Sequence, residues 1–410
     1  MVGDEQRTVN CFDFLRLFAA LSVVVQHHVL FLRAPFLWLE PDGPPLWFAD
    51  GVPLFFILSG YFVFRSADRL HAARGPWREF YRNRVLRIAP AIYLYLMITI
   101  ILVVAVGAVP ISSLASPRGL GWAGSTLVLA PVYNPGFLRG FGTGVINGSL
   151  WTIPVEVSFY LGVPLLVTAA AILRRYFTAV LVAMAVVAAG VDLALIDTRA
   201  GNYLRITCLP YLLFFSLGIL WYLYGAKVRL DWRLAALAVV TYAALRSAQT
   251  EGRSGAILTL AAALPLSYAA MWFGANGPAA LGRFTARLGD ISFGTYIWHM
   301  IMINLVIWWR VPERTGVRGS ALGLVVVVAS LSAGWLSWQL VERPALRLKK
   351  TSSRRSVAPD PGVLNADPDK QRRALEDEVA EAVHMASPAS AHEAADRLSD
   401  EQQRAGPAVQ

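Results

Sequence analysis

Four groups of residues in this 410-residue chain have types and spacings that could do chemistry. The first lies in "CFDFLRLFAALSVVVQHHVLFL" (11–32), an apolar run long enough to cross a bilayer that keeps Asp13, Arg16, His27 and His28. Arg16 and His27 are eleven residues apart, which at about 100° per residue returns to one helix face. Asp13 falls within roughly 40° of that face, and His28 is turned about 100° away. An ionisable side chain in hydrocarbon is costly unless paired or wet, so its default reading is functional. The bland alternative is that Asp13 and Arg16 anchor the interface while His27 hydrogen-bonds a neighbour.

The second group lies in "NGSLWTIPVEVSFY" (147–160), where Ser149, Thr152 and Glu156 stand at i, i+3 and i+7, one helical stripe, with Trp151 among them. Capping by Asn147 or Ser149 would explain the early hydroxyls but not Glu156, and Pro154 could loosen the local backbone. The third is "LGDISFGTYIWHMIMIN", where Ser292, Tyr296 and His299 share a face; Tyr and His satisfying each other in a packed bundle is the competing explanation. The fourth is "YRNRVLRIAP", where Arg84 and Arg87 at i and i+3 present two guanidinium forks suited to a phosphate-bearing ligand. Anchoring to the membrane surface explains any one of those arginines equally well.

The elements that must position these groups follow from composition. The chain is 56% hydrophobic and 16% charged, with mean hydropathy +0.50, too little charge for a soluble protein of this size. The expected class is an all-α, polytopic membrane bundle of about ten transmembrane helices: 12–32, 46–64, 88–108, 148–170, 176–195, 204–223, 234–247, 255–273, 288–309 and 320–341. The net charge of +10 comes with arginines beside apolar segments, which indicates topology and not nucleic acid. With the N-terminus cytoplasmic, the loop 65–87 and its seven arginines face inside, as do Arg174 and Arg175, the 227–233 and 283–287 connections, and the basic run from Arg343 to Arg355. "RVPERTGVRG", on the outside, is an exception. Both termini are then cytoplasmic, in a multi-pass cell-membrane protein. Residues 1–350 are expected to form the membrane domain and 351–410 a disordered polar tail. Cys11 and Cys208 make no disulfide or zinc pattern, and no metal site is expected.

In that frame His27 lies about 22 Å from the cytoplasmic end of the first span, and Glu156 about 12 Å below the outer end of the fourth. The two fall at similar depth and could orient one another as an acid–base pair.

As a set, these residues resemble the acyltransferase-3 family of integral membrane O-acyltransferases. The resemblance is to an ordered series over roughly 9–348: Arg16 and His27 in R-x10-H spacing, "GVPLFFILSGYF" (Gly51–Phe62), Arg84 and Arg87 as RxxR before Ile88-Ala89-Pro90, "SLWTIPVE", "LGDISFGTYIWH" and "VERP" (Val341–Pro344). Pro154 departs from it, standing where the family more often has a small polar residue. The resemblance implies an acyl-CoA donor, acetyl-CoA above others, no permanently bound cofactor, and an acceptor hydroxyl on a sugar, envelope glycan, lipid or macrolide-like product. It implies His27 as general base, Glu156 and Arg16 as its catalytic companions, and Arg84 and Arg87 as the donor site. Ser59, Ser149, Trp151, Thr152, Tyr296 and His299 would support them, Tyr296 or Ser59 as oxyanion donor. Without the esterase-like domain that some members carry, the bundle would perform the whole transfer or work with a partner protein. The rival readings are a proton-coupled transporter, a transmembrane acyl carrier feeding an outer acceptor, and a non-catalytic scaffold.

Overall fold

Apolar segments whose backbone groups must all be satisfied without water leave the helix as the simplest solution. The computed structural model describes residues 10–37, 39–41, 51–248 and 252–349. These residues are helical nearly throughout, with one isolated bridge between Phe36 and Leu39 and no strand among them. Ten main helices are named here in chain order: α1 Phe12–Leu32, α2 Gly51–Ala72, α3 Trp77–Ala105, α4 Thr152–Leu173, α5 Phe177–Leu195, α6 Leu212–Tyr224, α7 Trp232–Ser247, α8 Gly252–Asn276, α9 Ser292–Trp308 and α10 Gly319–Ser337. Each expected span has its helix.

By length and apolarity, six stretches among the described residues qualify to cross a membrane, or seven if Ala279–Leu288 and α9, bent by 70°, count as one. One stretch, Thr152–Leu195, contains both α4 and α5, while α7 and α9 have only 16 and 17 residues. A multi-pass membrane bundle is therefore the class. Val186, Val187, Leu237, Val240, Leu324 and Val328 are exposed on its outside, where a bilayer and not water would solvate them. The expected tail (351–410) and the start of the second expected span (46–50) lie outside the described residues.

Two boundaries correct the expectations and matter for the site. The basic segment 65–87 is not a loop: α2 continues to Ala72 and α3 begins at Trp77, around a turn containing Gly75 and Pro76. Arginine and glutamate are good helix formers, so the helices run on past their apolar parts. Arg84 and Arg87 accordingly stand on a regular helix. In contrast, 148–151 is a turn, and α4 starts only at Thr152. The Asn147 side chain accepts from Ser149 N (3.0 Å), holding the backbone off the helical path. Ser149 thus belongs to the turn and not to a helical stripe, and Pro154 sits in the first turn of α4, where its missing N–H breaks no hydrogen bond.

Packing brings α1, α2, α3, α4, α9 and α10 around the polar groups. α1 packs on α9, and α9 on α10, where Gly294 and Gly334 allow close approach. α2 packs against α6 through Gly60 and Gly218; a Cβ at either would run into the other helix's backbone.

Candidate active site

The charged part of the site is built around a bend. Gly289 adopts φ 86°, and the Trp338 ring occupies the space its Cβ would need, so glycine is required twice over. The next residue, Asp290, sits just before α9, where the helix N-terminus favours a carboxylate. Its Oδ1 accepts from Ser292 Oγ at 2.6 Å. Its Oδ2 accepts from Arg87 at 2.6 Å and lies 3.6 Å from Arg16. Arg16 also reaches Asp13 at 3.2 Å and lies over the Phe62 ring.

Arg84 stands one turn before Arg87 on α3. Its guanidinium donates to Ser66 Oγ (3.1 Å) and lies near the Phe80 and Tyr160 rings. The Tyr160 hydroxyl donates to Glu156. These side chains line a cavity of about 400 Å³, together with Ser59, Thr152, Tyr296 and Lys349. Four cationic side chains (Arg16, Arg84, Arg87, Lys349) thus face two carboxylates (Asp290, Glu156), which leaves positive charge for an anionic ligand. Burial pushes the Lys349 amine down to about 8, and the neighbouring Arg84 and Arg87 charges push the same way. Arg82 donates to Leu348 O at 2.5 Å, tying the Lys349 segment to α3.

The second part of the site carries no carboxylate among the described residues. His27 Nδ1 lies 2.8 Å from His299 Nε2, with ring centroids 5.0 Å apart. His299 is fully buried, and its Nδ1 lies 2.7 Å from the Tyr296 carbonyl. Phe31 stands edge-on to His27 at 5.3 Å. His28 is buried against Phe36, away from this pair.

Tyr296 joins the two parts. It lines the cavity, its carbonyl meets His299, and its hydroxyl donates to Ser149 O (2.8 Å) while lying 3.0 Å from Thr152 Oγ1. Asn147 Nδ2 donates to Ile297 O at 2.8 Å, so the turn before α4 is stapled to α9 at this level. His27 itself is not among the cavity's lining residues.

The acyltransferase-3 family model, described as an acyltransferase domain, matches residues 9–339. The chain belongs to the acyltransferase-3 family. Two relatives extend over most of it: "Nodulation protein 10" of Rhizobium leguminosarum bv. viciae is 29% identical over 387 residues, covering 85% of this chain and 97% of the relative. The "O-acetyl transferase" of Shigella phage Sf6 is 26% identical over 351 residues, covering 82% and 95%. No solved structure matches the chain. The protein is a membrane O-acyltransferase.

In this acyltransferase, the residues singled out from sequence divide between the two parts. Arg16, Arg84, Arg87, Glu156, Ser59, Thr152 and Tyr296 share the cavity; His27 and His299 form the pair beyond Tyr296. Ser149 contributes its carbonyl to Tyr296, and Trp151 packs on Tyr211 (5.3 Å), beside a different cavity of about 190 Å³. The expected mutual orientation of His27 and Glu156 is not what the fold builds: His27 meets His299, and Glu156 meets Tyr160. The reason is the late start of α4. Glu156 is four residues from its first residue, about 6 Å, and faces the arginines.

Sequence reasoning missed Asp290, Tyr160 and Lys349. Asp290 was readable as an acid beside a glycine at the start of an apolar run. Tyr160 is i+4 from Glu156, a spacing that could have paired them. Nothing in the sequence marks Lys349 among its basic neighbours.

Proposed function

We propose that this O-acyltransferase takes its acyl group, acetyl in the simplest case, from acyl-CoA and delivers it to a hydroxyl of a sugar, glycan, lipid or glycosylated natural product. What supports this reading above all is the cationic cavity ending at Tyr296, with the histidine pair one residue contact beyond. Arg84, Arg87 and Lys349 would take the donor's phosphates, and Arg16 would complete the set while held by Asp290. The pantetheine arm would run past Ser59 and Thr152 toward Tyr296, and the Arg16-to-His27 distance of about 16 Å along α1 is of the order of that arm's reach.

His27 would act as general base on the acceptor hydroxyl, which attacks the thioester carbonyl directly. A neutral imidazole suits that task near pH 7. The relative named an O-acetyl transferase favours acetyl among acyl groups. In this reading the Arg16 end of α1 and both chain termini are cytoplasmic, because the basic segments gather there. His27 is five residues from the far end of α1, which favours an acceptor arriving from the opposite side of the bundle to the donor.

The test is acyl-CoA turnover by the purified protein in nanodiscs, followed as free CoA, with a panel of glycosylated acceptors and membrane lipid. Acceptor-dependent release by wild type, absent from folded His27→Ala, is the expected result. Equal release by both would remove His27 from the mechanism.

A further inference from the structure

Resting on the reading of His27 as general base, we propose that His299 is a positioning residue that fixes His27 as its Nδ1–H tautomer, so that His27 Nε2 is the atom that receives the proton. Donor and acceptor capacities decide the tautomers. A backbone carbonyl can only accept, so His299 Nδ1, 2.7 Å from Tyr296 O, carries a hydrogen. A neutral ring then has its lone pair at Nε2. That lone pair faces His27 Nδ1 at 2.8 Å, and two lone pairs do not face each other at that distance, so His27 Nδ1 is the donor. His27 Nε2 is left with a lone pair and no hydrogen bond among the described residues.

The reverse arrangement would require both nitrogens of His299 to be protonated. That would be a cation in a fully buried position, with no carboxylate bonded to either ring among the described residues. Such a charge is expensive in an apolar bundle.

The lock is anchored by backbone. His299 and Tyr296 are one turn apart on α9, and the Tyr296 hydroxyl is held by Ser149 and Thr152, so the carbonyl that sets the tautomer belongs to a braced helix turn. At rest the histidine pair carries no net charge. A Ser-His-Asp triad uses a carboxylate to hold its histidine and stabilise the imidazolium; here a neutral imidazole nitrogen, itself held by a carbonyl, takes that place.

In the transfer step the acceptor O–H bond breaks and its proton moves to His27 Nε2. The oxygen bonds to the thioester carbonyl carbon, and the C–S bond breaks. The departing thiolate takes the proton from Nε2, giving free CoA, the ester and neutral His27. During the step the imidazolium donates through Nδ1 to His299 Nε2.

The experiment uses full-length protein labelled with ¹⁵N-histidine in nanodiscs. Two-bond ¹H–¹⁵N correlation spectra separate the tautomers, and His27→Asn and His299→Gln assign the signals among the six histidines. At neutral pH His27 is expected to show a protonated Nδ1 and a bare Nε2. A His27 signal with its proton on Nε2 would overturn the proposal. Kinetics supply the second arm: His299→Ala should lower kcat by about 10² to 10⁴-fold with donor KM within about threefold. His299→Gln, whose Oε1 can accept from His27 Nδ1, should recover at least about tenfold of that loss. Equal losses in both variants, each folded and monodisperse, would count as a merely structural role and against the lock. Absence of turnover in wild type with every acceptor would instead sink the general-base reading, while the spectrum still decides the tautomer.

Discussion

The two halves of the site solve the problem of polar groups in an apolar bundle in opposite ways. The cavity half is charged and partly open: Arg16 and Arg87 converge on Asp290, and their side chains retain 26%, 19% and 18% exposure respectively. The histidine half, with His299 fully buried and His27 partly so, is held by matching a donor to an acceptor at each step from Tyr296 O to His299 to His27. Ion pairs tolerate a few tenths of an ångström and can be re-shared when a phosphate arrives, because Coulomb attraction falls off slowly. A tautomer has no such latitude, since one wrong proton leaves two lone pairs or two hydrogens facing. The charged half is thus suited to capturing a mobile anionic substrate, and the histidine half to holding one atom ready.

Substitutions can break this contrast at different strengths. The largest effect is expected at His27: His27→Ala should lower kcat by about 10² to 10⁴-fold while leaving donor affinity, measured by isothermal titration with a non-hydrolysable acyl-CoA analogue, within about threefold. A comparable loss of donor affinity would mean the two halves are not separable.

Arg87 comes next. Arg87→Met leaves Asp290 short of its 2.6 Å partner and should cost about 2 kcal/mol of stability, discounted from a fully buried pair because both groups are partly exposed. Adding Asp290→Asn should restore most of the stability in a double-mutant cycle but not the donor affinity, which is expected to stay down by about tenfold or more. If donor affinity returned along with stability, Arg87 would be a structural partner of Asp290 and nothing further.

Lys349 gives a smaller, pH-dependent effect. A lysine with its pKa lowered to about 8 is cationic below that pH and loses its charge above it. Donor KM for wild type should therefore rise as pH increases through about 8, and bound phosphate would move that point upward. Lys349→Met should show a KM several-fold higher at pH 7 and no such rise between pH 7 and 9. A wild-type KM that is flat through this window would remove Lys349 from the donor site.

The smallest effect is expected at Asp13. It shares Arg16 with Asp290 across an i,i+3 pair, with half its side chain exposed. Exposed pairs of this kind contribute about 0 to 1 kcal/mol, so Asp13→Asn should change stability and donor KM by less than about twofold. A large effect would show that Arg16 depends on Asp13 for its position, and that Asp290 is the lesser partner.

The sequence by itself determined the class of this protein and singled out many of the side chains gathered at its candidate site, though not Asp290, Tyr160 or Lys349. Apolar runs longer than about 18 residues can only be helices in hydrocarbon, and every expected span contains a helix. Polar residues within such runs are conspicuous because they are costly there, which is why Arg16, His27, Glu156, Tyr296 and His299 all stand out in the sequence. Spacing along one helix was readable too: Arg84 and Arg87 do line the same cavity.

Only the tertiary structure decided who meets whom. Periodicity fixes the face of a residue on its own helix but carries no information about which helix lies opposite. Depth estimates inherit any error in a helix start, and four residues at the N-terminus of α4, set by one Asn147 side chain, displaced Glu156 from His27's partner to a neighbour of the arginines. His299 replaced it because α9 packs on α1. Asp290 owes its role to a 70° bend that no hydrophobic pattern marks. Composition and periodicity are properties of a chain read locally; partnership between helices is a property of packing, and a hydrogen bond at 2.8 Å is settled only there.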